Sequence, residues 1–410
     1  MDLDLQSVRR HFPALSLRID GRPVVYLDNP AGTQVPQRVI DRTAAYWQTM
    51  NANHGGVFAT SERSDALILE ARAAAAAFVN AASPEEISFG PNMTTLTFAV
   101  SRAIARQLRP GDEIVVTRLE HDGNVSPWLA LQEQGVVVRF ADIRTPECTL
   151  DLDDLGRQLT ARTRLVAVTH ASNAVGTIPD LQVVSRAVHA AGAWLWVDAV
   201  HYSPHGPIDV QAIDCDFLVC SSYKFYGPHV GILYGRRELL ERLRPYKVRP
   251  ASDELPGRWE TGTQNHEGLA GLLGAYEYLA DLGGSTVVRR QAFEAAMQRI
   301  QGHERALAAR LIVGLGQIRG VQIYGITAPD QLHRRAPTVS LTWPPHRPRA
   351  LARWLAAQQI FTWHGDHYAT ELIARLGLAD RGGTLRIGLA HYNTASEVDL
   401  VLEVLAGFKG

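Results

Sequence analysis

Between residues 87 and 234 the chain repeats one pattern, a short β-branched or apolar run followed by an amphipathic stretch. The runs are Ile87–Phe89, Glu113–Thr117, Val136–Phe140, Leu165–Thr169, Trp194–Val197, Phe217–Cys220 and Gly231–Tyr234. Between them, Thr94–Leu108, Pro127–Gln134 and Leu181–Ala191 read as helices, and Leu155–Leu159 as the end of a shorter one. Strands that are apolar throughout are buried on both faces. The pattern therefore predicts an α/β domain whose mostly parallel sheet is covered by helices on both sides. A short helix, Leu5–His11, precedes it.

The character changes near Pro250–Arg258, a polar loop with two prolines and a glycine. A helical stretch follows from about Leu269, broken at Gly283–Gly284. Thr338–Thr342 and Leu385–Leu389 are strand candidates, and Glu397–Leu405 is a closing helix. This part predicts a smaller α+β domain. WPPHRPRAL is a proline-rich turn within it, and no repeat stands out.

Composition narrows the function classes. Lys plus Arg number 41 against 42 Asp plus Glu, a net charge of -1, with no basic run to suit nucleic acid or an anionic membrane. The start, MDLDLQSVRR, is acidic and lacks the apolar core of a signal peptide, and apolar stretches such as Leu165–Val168 are too short to span a membrane. The three cysteines, Cys148, Cys215 and Cys220, have no CxxC spacing, which argues against a disulfide framework or a thiolate metal site. A cytoplasmic protein is the expectation.

An open parallel sheet binds its ligand at the carboxyl ends of its strands. There the sequence places Gly90-Pro91-Asn92-Met93-Thr94, Glu120-His121-Asp122-Gly123-Asn124, His170-Ala171-Ser172-Asn173, Asp198-Ala199-Val200-His201 and Ser221-Ser222-Tyr223-Lys224. Pyridoxal 5′-phosphate (PLP) chemistry needs such a set. It takes an amine for the Schiff base (Lys224), a carboxylate facing the pyridine nitrogen (Asp198) and a helix N-terminus for the phosphate (Asn92 to Thr94). It also takes a flat group over the ring, here His121. A nicotinamide reading fails, because no G-x-G-x-x-G follows a strand. His54, His364 and His367 lack metal-site spacing and are read as lining a polar substrate pocket.

The runs EHDGN, SNAVGTI, VDAVH, SSYKFYGPHVGILYG, ETGTQN and LRIGLAHYNT resemble those of class V aminotransferase-fold enzymes, above all group II cysteine desulfurases and selenocysteine lyases. The similarity runs from Tyr26-Leu27-Asp28 almost to the C-terminus. It implies PLP fold type I, with a large seven-stranded domain at 21–265, a linking helix and small domain at 266–410, and an N-terminal segment at 1–20 packing on the small domain. It implies that Asn173 and His201 lie near the phenolic oxygen and that Ser221 helps bind phosphate. Thr263 would reach the phosphate of a partner subunit in a homodimer, and Arg386 would hold the carboxylate of an amino-acid substrate.

The resemblance also marks departures. The desulfurases have a nucleophilic cysteine in a run like RTGHHCA, whereas here the run is WHGDHYA. Tyr368 stands at the cysteine position and Trp363 at the arginine. His201 replaces a glutamine, and Tyr223 a histidine. A phenol cannot carry sulfur as a persulfide, so the expectation is a cysteine desulfurase-like β-elimination without one, with Tyr368 as an acid. Class V aminotransfer, epimerisation and a non-catalytic PLP-binding role are the alternatives.

Overall fold

In the computed structural model, which describes residues 3–409, the strand runs form one seven-stranded sheet. Its strands are β1 (Ile87–Gly90), β2 (Glu113–Thr117), β3 (Val137–Ala141), β4 (Thr163–Thr169), β5 (Trp194–Asp198), β6 (Phe217–Ser221) and β7 (Gly231–Gly235). The order is β1-β7-β6-β5-β4-β2-β3, and β7 alone runs antiparallel to its neighbours. Alternate residues feed two cores. Val115, Val166, Leu195 and Leu218 pack on one face, while Ile114, Leu165, Trp196 and Val219 pack on the other. That two-sided burial is the reason the strands read as continuous apolar runs.

Helices cover both faces. The stretch at Pro127–Gln134 is a short α-helix, Ser126–Leu129, continuing as a 3-10 turn to Gln134. The helical stretch expected to break at Gly283–Gly284 is two helices, α1 (His266–Leu282) and α2 (Arg290–Gln317), separated there because Gly284 takes a left-handed φ of 83° that no helix continues. Two long helices escape the sequence pattern, Gln37–Thr49 and Ala59–Val79. The second holds the run Ala73–Ala77, which shows no apolar period.

A third core belongs to a four-stranded sheet, ordered β8-β9-β11-β10: β8 (Gln322–Tyr324), β9 (Thr338–Thr342), β10 (Trp363–Gly365) and β11 (Thr384–Gly388). Val339, Leu341, Leu385 and Ile387 pack on α2, on Pro348–Ala356 and on Ala395–Ala406. The alternate residues Thr338, Ser340, Thr384 and Arg386 face the other way, and Ser340 donates to Ala174 O of the large domain at 2.7 Å. A polar face of the small sheet is thus pressed against the carboxyl ends of the large one. Val25–Tyr26 pairs with Ile360–Phe361, and Val25 and Leu27 enter the small-domain core. Of the N-terminal segment, Arg9 donates to Tyr392 O and Glu397, and Phe12 is buried against Tyr392. Among the described residues no helix is long and apolar enough to cross a membrane.

Candidate active site

The strand ends enclose a cavity of about 100 Å3 lined by Asn92, Met93, Thr94, His121, Asn173, Asp198, His201, Ser221 and Lys224. Lys224 follows β6 in a 3-10 turn and is buried, its Nζ donating to Pro30 O. Burial, then repulsion from Arg386, lowers its pKa to about 7. Asp198 ends β5 and accepts Val200 N at 2.9 Å through one oxygen. Burial raises it to about 7 against the pull of Lys224. Among the described residues neither group forms a salt bridge, and the second Asp198 oxygen has no partner.

The other walls are fixed by local chemistry. His121 Nδ1 accepts Gly123 N at 2.9 Å, which places the neutral ring's proton on Nε2. Burial, then Lys224, pushes its pKa down to about 4. Behind it, the buried carboxyl of Glu120 receives Thr117 Oγ1 at 2.5 Å, Thr169 N at 2.9 Å and Asn124 Nδ2 at 2.7 Å. Burial raises Glu120 to about 8. This carboxyl ties the His121 loop to the ends of β2 and β4; the sequence singled out the run EHDGN but assigned Glu120 no task.

The helix Met93–Ala105 opens on the cavity. Asn92 Oδ1 accepts Thr95 N and Ser221 Oγ accepts Met93 N, both at 2.9 Å, while the Thr94 N–H has no partner among the described residues. Gly231 lets β7 pass this turn, since a Cβ there would lie 2.5 Å from the Asn92 carbonyl carbon. His201 Nε2 meets Thr338 Oγ1 at 2.9 Å. Asn173 donates to His367 O at 2.7 Å, and its buried Oδ1 has no partner.

The class-V aminotransferase family model matches residues 25–401. The chain belongs to that family. A probable cysteine desulfurase of Synechocystis sp. is 34% identical over 97% of this chain and 94% of its own length. The cysteine desulfurase of Serratia proteamaculans is 33% identical over 97% of each. The apo cysteine desulfurase of Thermococcus onnurineus NA1 superposes with a TM-score of 0.88 at 29% identity, covering 99% of this chain and 98% of that one. The Escherichia coli cysteine desulfurase CsdA, as its S-sulfonic acid, gives 0.84 at 29% identity and 98% of both.

This class-V enzyme is PLP-dependent, as its relatives are. Its cavity suits the group: a buried amine and, among the described residues, an Asp198 oxygen without a partner, the free Thr94 N–H at a helix start and the orphaned Asn173 amide oxygen converge on one space. Beside it, the buried Arg386 donates to Asn173 O at 3.1 Å and to Asp28 Oδ1 at 3.2 Å, leaving Nε unpartnered. Asp28 began the resembling stretch, yet only the fold reveals it as the arginine's partner.

Other expected residues of the class-V enzyme lie further out. Tyr368 is 70% exposed, with its ring over His121 at 5.4 Å and 20°. His367 is buried, with Nε2 at 2.9 Å from Thr384 Oγ1. His364 pairs with Leu385 on the helix-covered face of the small sheet, where Arg349 and Arg353 lower its pKa after burial does. His54 and Thr263 line a separate groove of about 1070 Å3. Among the described residues no His, Cys, Asp or Glu cluster could hold a metal.

Proposed function

We propose that this class-V enzyme is a carbon–sulfur lyase that takes the α-proton from an amino acid and expels its β-sulfur substituent without a protein persulfide. The placement of the thiols carries this reading. Cys148, Cys215 and Cys220 are all buried, and none lines the cavity of Lys224. Burial raises every one of them, Cys148 to about 11. A sulfur-accepting nucleophile must be an accessible thiolate. At the loop position where the resemblance implies one, this chain has an exposed phenol, Tyr368.

Bound PLP supplies an electron sink for the pair left by the departing α-proton. Asp198 would hold the ring nitrogen, His121 the ring face, His201 and Asn173 the phenolic oxygen, and Ser221 with the Asn92–Thr94 turn the phosphate. Arg386 takes the α-carboxylate through two parallel hydrogen bonds, displacing Asp28. Lys224, depressed to about 7, offers a neutral amine at physiological pH and accepts the α-proton. The Cα–H pair becomes the second bond of Cα=Cβ as Cβ–S breaks, and the sulfur leaves as a thiolate with the Cβ–S bonding pair. Tyr368 gives that thiolate a proton, and water converts the enamine product to pyruvate and ammonium.

Incubation with S-substituted cysteines tests this, with pyruvate and thiol measured together and persulfide trapped by alkylation. Equimolar pyruvate and thiol, undiminished in the variant Cys148→Ser/Cys215→Ala/Cys220→Ala, is the expected result. Persulfide formed at the rate of turnover would restore a true desulfurase. A keto acid retaining its sulfur, or racemised substrate, would make it an aminotransferase or an epimerase.

We also infer a homodimer. The groove holding His54 and Thr263 is edged by the exposed Leu69 and Val248, with Val57 and Phe58 exposed nearby in sequence. Apolar exposure of this extent marks a surface made to be covered.

A further inference from the structure

Next to Arg386 lies a second cavity, of about 400 Å3, that the reaction as described does not use. It shares Asp28 with the arginine, and its walls include Tyr26, Phe361 and Trp363. Backbone pairing fixes these rings. Phe361 is the register partner of Tyr26, and the two rings meet edge to face at 5.7 Å. Trp363 of β10 is the partner of Arg386 of β11. Directly paired residues project from the same face of a sheet, about 5 Å apart at Cβ. The indole therefore stands beside the guanidinium, on the side of the small sheet that meets the active site.

The chemistry of the recess is one-sided. No lysine, arginine or histidine lines it. Asn29 is fully engaged, its amide nitrogen donating to Tyr26 O, Gly388 O and Asn393 Oδ1 and its oxygen accepting from Tyr392. What stays open among the described residues is aromatic surface, the buried Thr362 hydroxyl, the Gln34 side-chain amide and one oxygen of Asp28. Such a space favours a neutral, flat or apolar group and repels an anion. Trp363, 55% exposed, stands where the resemblance implies an arginine.

We propose that this recess receives the side chain of the substrate, and that the substrate is a thioether amino acid bearing an aryl or bulky alkyl group on sulfur. With its carboxylate on Arg386, such a molecule lays its S-substituent against Trp363, Tyr26 and Phe361. Cysteine leaves the recess empty, and acidic amino acids meet Asp28. The proposal rests on the lyase reading for its chemistry, and on the pairing of Trp363 with Arg386 for its geometry.

The test uses the holoenzyme with S-benzyl-L-cysteine, S-methyl-L-cysteine and L-cysteine, reading binding by calorimetry at low temperature and turnover by pyruvate. S-benzyl-L-cysteine should bind roughly 10- to 100-fold more tightly than S-methyl-L-cysteine. Trp363→Ala should erase most of that preference while leaving the S-methyl compound within about threefold, and Trp363→Phe should keep it. Equal binding of the benzyl and methyl compounds, or a preference surviving in Trp363→Ala, overturns the recess assignment whether or not pyruvate forms. Tight, tryptophan-dependent binding of the benzyl compound without thiol release sustains the recess and removes the lyase reading instead. Trp363 lies on an edge strand at the surface, so the variants are expected to fold; a circular dichroism spectrum matching wild type verifies it.

Discussion

Asp28 and Arg386 lie 3.2 Å apart, although 358 residues separate them along the chain. The guanidinium is buried, and Asp28 is its carboxylate partner. On the proposed reading an incoming α-carboxylate would replace one anion by another, so Arg386 would not be left unpaired at low dielectric. Lysine offers a charge but no planar fork. Arg386→Lys should therefore lower kcat/KM by about 10²-fold, mostly through KM. Steady-state kinetics decide the matter, and a loss confined to kcat would remove the carboxylate role.

The buried amine has a consequence for the apoprotein. Folding lowers the pKa of Lys224 to about 7 from 10.5, so between those values the unfolded chain binds the extra proton and stability rises with pH. The destabilisation is full below pH 7, shrinks as pH rises, and is gone above 10.5. Lys224→Met apoprotein should be more stable than wild type at pH 7 by an amount of order a few kcal/mol. Urea titrations at pH 7 and pH 9 should show the gap narrowing. A gap that widens with pH contradicts the burial argument.

Tyr368 Oη has no hydrogen-bond partner among the described residues, while its ring lies over His121. A phenol free in this way can turn toward a leaving group. Tyr368→Phe should cut kcat by roughly 10²-fold, with KM little changed and the loss smallest for substrates whose thiol leaves readily. An unchanged kcat would reduce the residue to a lid on the imidazole.

Sedimentation velocity at micromolar concentration should give a dimer. Phe58→Asp, placed on the exposed apolar stretch, should shift it to monomer and weaken cofactor retention. A wild-type monomer that keeps both cofactor and activity would dismiss the composite site.

The large sheet was legible because each strand is buried on both faces, and a doubly buried strand announces itself as a run of Val, Ile and Leu. The cavity was legible for a related reason, since its groups follow those runs directly. Edge strands have no such signature. Trp363–Gly365 and Gln322–Tyr324 are three residues each and partly exposed, and neither was anticipated. Consequently the pairing of Trp363 with Arg386 was invisible, as was the turning of His364 toward Arg349 and Arg353 rather than toward substrate. Asp28 went unassigned because its partner lies 358 residues away in the chain.

Hydrogen bonds to main-chain atoms of His367 and Tyr368, which do not depend on the tyrosine side chain, hold the loop that carries them. Asp122 N donates to Tyr368 O at 2.6 Å, Asn173 to His367 O at 2.7 Å, and Tyr368 N to Asp366 at 3.0 Å. His367 and Tyr368 both sit at left-handed φ, 58° and 56°, a conformation these contacts enforce on whatever residue occupies it. Tyrosine and cysteine codons differ by a single base. A lineage carrying this scaffold can thus trade one reactivity for another at position 368 without rebuilding the loop, and its chemistry is free to drift faster than its architecture.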